Sequence, residues 1–153
     1  MAAKILTVDD EPSITKLVSA TLMARGYEVI TASSGPEALA AAATQKPALI
    51  ILDIMMPGMD GKEVHRRLSA DPATAKIPIL FLSAVGDFEG QLHEIESGGF
   101  VDFITKPFAP ADLGERVQSI LDPKQREQYE RERRQRENKL RKIVGIMHRD
   151  RDA

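Results

Sequence analysis

Apolar runs recur along the first four-fifths of the chain, and each is closed by a polar or charged residue. Lys4-Ile5-Leu6-Thr7-Val8 runs into Asp9-Asp10-Glu11. Leu49-Ile50-Ile51-Leu52 ends in Asp53, Pro78 to Leu82 ends in Ser83-Ala84, and Phe100 to Thr105 ends in Lys106-Pro107-Phe108. Continuous aliphatic runs this short predict strands buried on both faces, as in a parallel sheet. Tyr27 to Thr31 is predicted as a further strand. The segments between them have helical spacing. Pro12 opens a helix carrying Ile14, Leu17, Val18 and Leu22, which Arg25-Gly26 stops. Ser34 and Glu37 have the spacing of a capping box, so an Ala-rich helix should run from there to about Thr44. Gly61–Ala70 turns Val64 and Leu68 inward; Phe88–Ser97 and Asp112–Leu121 complete the series. Five strands alternating with five helices predict an α/β fold, a doubly wound parallel sheet with right-handed crossovers.

In such a sheet the strand ends share one edge, where open α/β sheets carry their sites. Asp9, Asp10, Asp53, Ser83 and Lys106 all fall just past strand ends. Pro57, Gly58 and Gly61 force a loop after Asp53. An aspartate so placed is a metal ligand, a nucleophile or a cap of its own loop. Three clustered carboxylates repel one another unless a cation lies between them, and all-oxygen ligation suits a hard ion such as Mg²⁺. Ser83 adds a hydroxyl donor and Lys106 a mobile positive charge. The chemistry implied is phosphoryl transfer to a carboxylate, with Asp53 attacking in line.

Composition adds compartment and modularity. Hydrophobic residues make up 42% of the 153, which is globular. The absence of cysteine excludes disulfides and cysteine-ligated zinc, and fits a reducing compartment. No basic-then-apolar leader precedes the first strand and no apolar run reaches membrane-spanning length, so a soluble cytoplasmic protein is expected. The net charge of −2 is unevenly spread. Residues 1–123 hold 10 Lys and Arg against 17 Asp and Glu, and residues 124–153 hold 11 against 6. The expected division is a body, 1–122, and a charged helical extension, 123–153.

Four pieces now carry a resemblance: Asp9-Asp10-Glu11-Pro12, Leu52 to Gly61, Ser83-Ala84 and Lys106-Pro107-Phe108. In this order and spacing they resemble the receiver domain of two-component response regulators, over residues 4 to about 121. The resemblance implies a flavodoxin-like fold with strand order 2-1-3-4-5, followed by a long C-terminal helix. It implies that Asp53 takes a phosphoryl group from a histidine kinase or phosphotransfer protein. Asp10, Asp53 and the Met55 backbone carbonyl would ligate Mg²⁺, with Asp9 acting directly or through water. Ser83 would be the switch hydroxyl, Phe103 the aromatic switch position, where many relatives have Tyr, and Lys106 the phosphoryl contact. A cis Lys106-Pro107 bond is implied too. The response is expected across residues 87–121, where a partner or second subunit docks. The only chemistry implied is on the protein itself, so it is not expected to be an enzyme.

Some positions depart from the family pattern. Met55 and Val85, two residues after Asp53 and Ser83, are apolar where polar residues can orient an attacking water. A long-lived phosphoryl group is expected. In Gly98-Gly99-Phe100-Val101 the bulky apolar pair Phe100 and Val101 stands where relatives carry small and acidic residues, either as packing or as a dimer or partner patch. His65, His93 and His148 have no ligand spacing, and His65 and His93 are expected at the surface.

Lys124 to about Met147 reads as one helix with Glu127–Arg131, Glu130–Arg134, Glu132–Arg136 and Glu137–Arg141 pairs, Glu first. Its only apolar stripe is Leu140, Ile143, Val144 and Met147. Three readings stay open: a solvated helix folding its stripe on the receiver or on a second copy, a linker into an output domain, or a basic arm for nucleic acid. Interleaved glutamates and missing aromatics weigh against the last. A phosphatase with an aspartyl-phosphate intermediate is a rival class, but Met55 stands where such enzymes carry a second acid. A scaffold with an unused acceptor is another.

Overall fold

The computed structural model describes residues 2–84 and 101–128, and 130–132, 134, 135, 138, 139 and 142 beyond them. The helix expected over Phe88–Ser97 lies outside the described residues, as do Val85, Phe100, His93 and His148. The chain divides into two compact units, Met1–Glu115 and Arg116–Ala153.

The strands are β1 (Lys4–Val8), β2 (Glu28–Ala32), β3 (Leu49–Asp53), β4 (Ile79–Ala84) and β5 (Val101–Lys106), all parallel, in the order β2-β1-β3-β4-β5. This is the doubly wound order the resemblance implies. The helices are α1 (Pro12–Ala24), α2 (Gly35–Gln45), α3 (Gly61–Ala70) and α4 (Pro110–Leu121). All five residues of β3 are buried, as a central strand covered on both faces requires. Alternate side chains divide between two layers. Leu6, Val8, Ile50, Leu52, Ile79 and Phe81 join Ala38, Ala42, Val64 and Leu68 of α2 and α3 in one core. Ile5, Leu49, Ile51, Leu80 and Leu82 point to the opposite face. Leu17 of α1 is 40% exposed although it falls on the apolar spacing, because Val18 and Leu22 are the helix's buried pair.

Local chemistry sets the helix ends. At the end of α1 the Tyr27 and Gly26 amides donate to the carbonyls of Leu22 and Met23, with Gly26 at φ 92°, a left-handed stop that glycine adopts without strain. Ser34 Oγ accepts from the Glu37 amide at 3.4 Å. The Glu37 carboxylate reaches back to the amide and hydroxyl of Ser33, one residue before the cap. Asp60 caps α3 through the Glu63 amide at 2.9 Å.

Beyond α3 the buried Thr74 hydroxyl donates to the Leu68 carbonyl at 2.7 Å. Thr74→Val is expected to cost about 1 kcal/mol, because that carbonyl keeps only a long bond from the Asp71 amide. Urea unfolding should show a lower midpoint at unchanged slope.

His65 corrects the surface expectation. It is 7% exposed, on the buried face of α3 with Gly61, Val64 and Leu68. Its ring meets Phe81 edge-on at 5.6 Å between centroids, and Phe81 stacks on Phe103 at 5.4 Å. Burial pulls its pKa below the ordinary imidazole value.

In the second unit, Asp122 Oδ1 accepts from the Lys124 amide at 2.9 Å and residues 123–128 are helical. The expected Glu127–Arg131 pair forms at 2.7 Å with both side chains exposed, so it contributes only tenths of a kcal/mol. No helix among the described residues is long and apolar enough to cross a membrane.

Candidate functional site

The carboxyl ends of β1, β3, β4 and β5 meet at one edge of the sheet. Asp53 is the last residue of β3, opposite Leu82 of β4, and Ser83 and Ala84 continue β4 opposite Thr105 and Lys106 of β5. Asp9 directly follows β1. Its amide donates to Ala32 at the end of β2, and its Oδ1 accepts from the Glu11 amide at 3.0 Å. Asp9 and Asp53 are buried, 1% and 5% exposed, whereas Asp10 faces solvent.

Carboxylate oxygens of Asp9, Asp10 and Asp53 lie within 4.8 Å of one another, the only such acidic cluster among the described residues. Lys106 answers part of that charge. Its Nζ donates to Asp9 Oδ2 at 2.9 Å and stands 3.5 Å from Asp53 Oδ1. The Met55 amide donates to the same Asp53 oxygen at 3.2 Å. Burial first, and then the negative charge of Asp9, push the Asp53 pKa from 3.8 up to about 6, against the pull of Lys106 and the Met55 amide. For Lys106 burial works downward, but the hydrogen bond to Asp9 and the charges of Asp53 and Asp9 outweigh it and raise its pKa.

One ammonium thus faces the carboxylates of Asp9 and Asp53 together. Three oxygen donors at this spacing fit a hard divalent cation.

The loop after Asp53 is held by backbone. The Ile54 amide donates to Leu82 at 3.1 Å and the Gly61 amide to Ile54 at 2.8 Å. Gly61 lies so close that a Cβ there would sit 2.8 Å from Ile54 Cα and nearer still to the Asp53 carbonyl oxygen. Gly58 turns the loop at φ 77°. The Lys106–Pro107 peptide is cis.

Asp9, Asp10, Asp53 and Lys106, picked out from the sequence, are therefore brought together. Ser83 lies at the same edge, buried, with its hydroxyl donating to the Ala84 carbonyl at 3.2 Å. Phe103 is buried on Phe81, away from solvent. The Met55 side chain is 62% exposed. Gly61 was legible only as a loop former; its role as the seat of the Asp53 carbonyl depends on a contact that sequence does not show.

A family model of the response regulator receiver domain matches residues 5–118. The chain belongs to the response regulator receiver family. Among curated relatives of this receiver, the response regulator PleD of Caulobacter vibrioides is 46% identical over 120 residues, covering 78% of this chain and 26% of that protein. The alkaline phosphatase synthesis transcriptional regulatory protein PhoP of Bacillus subtilis is 46% identical over 121 residues, covering 79% and 49%. The chain thus spans about a quarter to a half of these relatives' length. Among solved structures, the Vibrio cholerae chemotaxis protein CheY4 superposes with a TM-score of 0.73 at 37% identity, covering 79% of this receiver and all of that chain.

Proposed function

We propose that this receiver accepts a phosphoryl group on Asp53 from a histidine kinase or phosphotransfer protein, and that the modification switches its protein–protein contacts. The observation that carries the proposal is the Asp53 carboxylate at the end of the central strand, within 4.8 Å of Asp9 and Asp10 oxygens and 3.5 Å from the Lys106 ammonium.

Asp9, Asp10 and Asp53 would hold Mg²⁺, joined by the Met55 carbonyl. When bound, Mg²⁺ supplies positive charge to the phosphoryl oxygens. An Asp53 oxygen attacks phosphorus in line, the bond to the donor atom breaks, and the leaving group keeps the electron pair. Lys106 is close enough to shift from its carboxylate partners to a phosphoryl oxygen. Ser83, at the same edge, would exchange its local acceptor for a charged one. Met55 offers no hydrogen bond to a hydrolytic water, so the phosphoryl group should persist.

Partner exchange is proposed across residues 87–121, with homodimerisation there or through the C-terminal helix as its form. In this reading residues 1–122 are the receiver and 123–153 its extension. The longer length of the curated relatives favours a second role for the extension, as a connector to an output domain.

The test is intact-protein mass after incubation with Mg²⁺ and acetyl phosphate. One phosphoryl mass should be gained by the native protein and none by Asp53→Asn. After donor removal the adduct should decay over minutes or longer; decay within seconds would overturn the expectation drawn from Met55. Equal uptake by Asp53→Asn would remove Asp53 as the acceptor.

A further inference from the structure

The loop carrying Met55 is tied at both ends by backbone, and two of its side chains, Met56 and Met59, pack into the α2–α3 core. Met59 is half-buried against the α2–α3 core and lies directly on Gly35, the first residue of α2. A Cβ on Gly35 would stand 2.8 Å from Met59 Cβ, Cγ and Sδ together. Because one of the three is Met59's own Cβ, a change of side-chain rotamer does not relieve the overlap. The backbone of the loop would have to move, or the start of α2 would. The α2 end is pinned: Ser34 caps the helix, the Ala38 amide donates to the Ser34 carbonyl at 3.0 Å, and Gly35 itself is buried. The loop is freer between Met56 and Met59, where Pro57 and Gly58 are exposed, while Met56 is buried in the core and the Met55 amide donates to Asp53 at 3.2 Å. Displacement at Met59 therefore falls first on Pro57 and Gly58, and reaches the Met55 backbone through the shared core packing of Met56.

We propose that the seat of Met59 on Gly35 positions this loop and so sets the affinity of the acidic site for its divalent cation. Met59 and Gly35 act as positioning residues, through the Met55 backbone. The inference rests on the receiver reading of the site. Residues that orient metal ligands without touching the metal commonly change affinity by 10-fold or more.

The experiment is a MgCl₂ titration of the whole chain, followed by thermal shift and read as the concentration dependence of the midpoint. Gly35→Ala should bind Mg²⁺ about 10-fold more weakly than the native protein. Met59→Ala alone, which removes the seat without a clash, should weaken binding in the same direction. In Gly35→Ala/Met59→Ala the Cγ and Sδ overlaps are gone, so affinity should recover part of the loss from Gly35→Ala. Thr74→Val is the control, less stable but remote from the loop, and should bind as the native protein does. If Gly35→Ala and Met59→Ala lose stability but keep native affinity, the contact is ordinary packing and the proposal falls. If the native protein shows no Mg²⁺-dependent shift and gains no phosphoryl mass, the receiver reading of the site fails instead.

Discussion

Asp53→Asn should melt above the native protein in metal-free buffer near neutral pH, and the gain should vanish in acid. The Asp53 carboxyl titrates at about 6 in the fold, against an ordinary value of 3.8. Below the lower value both folded and unfolded chains hold the proton, and the group contributes nothing. As pH rises from there the unfolded chain releases its proton first, so folding must take one up and stability falls. Above about pH 6 the penalty is complete. A shift near two units, already net of the attraction to Lys106, corresponds to about 3 kcal/mol at most, and about 2 kcal/mol is expected because an amide does not reproduce every contact of the protonated carboxyl. For a domain of this size that is a rise on the order of 5 °C at about pH 7.5. The check is a pair of melting curves with a chelator present, at about pH 7.5 and at a pH below the ordinary carboxyl range. An equal difference at both would mean that ionisation of Asp53 is not the cause. Adding Mg²⁺ should raise the native protein and narrow the gap.

Gly61→Ala should be the most damaging single methyl addition in the loop. Its Cβ would press on the Asp53 carbonyl and on Ile54 Cα, which are backbone atoms of the central strand and its exit. No rotamer can yield, so either the 2.8 Å bond from the Gly61 amide to Ile54 breaks or β3 shifts. The expected cost is about 3 kcal/mol, at the upper end for overpacking. Gly58→Ala is the comparison. There a Cβ meets nothing within 4 Å, and only the φ of 77° opposes it, so about 1 kcal/mol is expected. Urea unfolding of the two variants should separate by that margin. Comparable losses would mean that the loop relaxes around Gly61 and that the close approach carries no cost. Phosphoryl uptake should fail in Gly61→Ala wherever enough of it remains folded.

These expectations depend on contacts of different legibility. The strands could be read because their apolar runs are short and end in polar residues, and α3 was bounded at Gly61–Ala70 from its spacing alone. The edge cluster followed from topology, since a parallel sheet brings Asp9, Asp53 and Lys106 together without any local sequence signal. Which carboxylate holds the lysine was not legible: the preference for Asp9, at 2.9 Å against 3.5 Å for Asp53, is a matter of tenths of an ångström between three strands. His65 was misplaced because a polar side chain at a helical position suggests solvent, while the buried stripe of α3 is wide enough to include it beside Val64. Gly35 and Gly61 carry no side chain, so their importance shows only in the space that a neighbour occupies. The strand ends also moved slightly, with β2 starting at Glu28 instead of Tyr27.

The column of His65, Phe81 and Phe103 gives the molecule an internal spectroscopic probe. An imidazole held edge-on to a benzene ring lies in that ring's magnetic anisotropy, so its carbon-bound protons should resonate away from those of a solvated histidine. The chain has three histidines, and a spectrum that sparse lets one displaced pair of signals be followed without labelling. Phe81 stands two residues before Ser83 and Phe103 three before Lys106. The chemical shifts of a ring on α3 therefore record the spacing of the two strands that deliver the hydroxyl and the ammonium, at a distance from the carboxylates themselves.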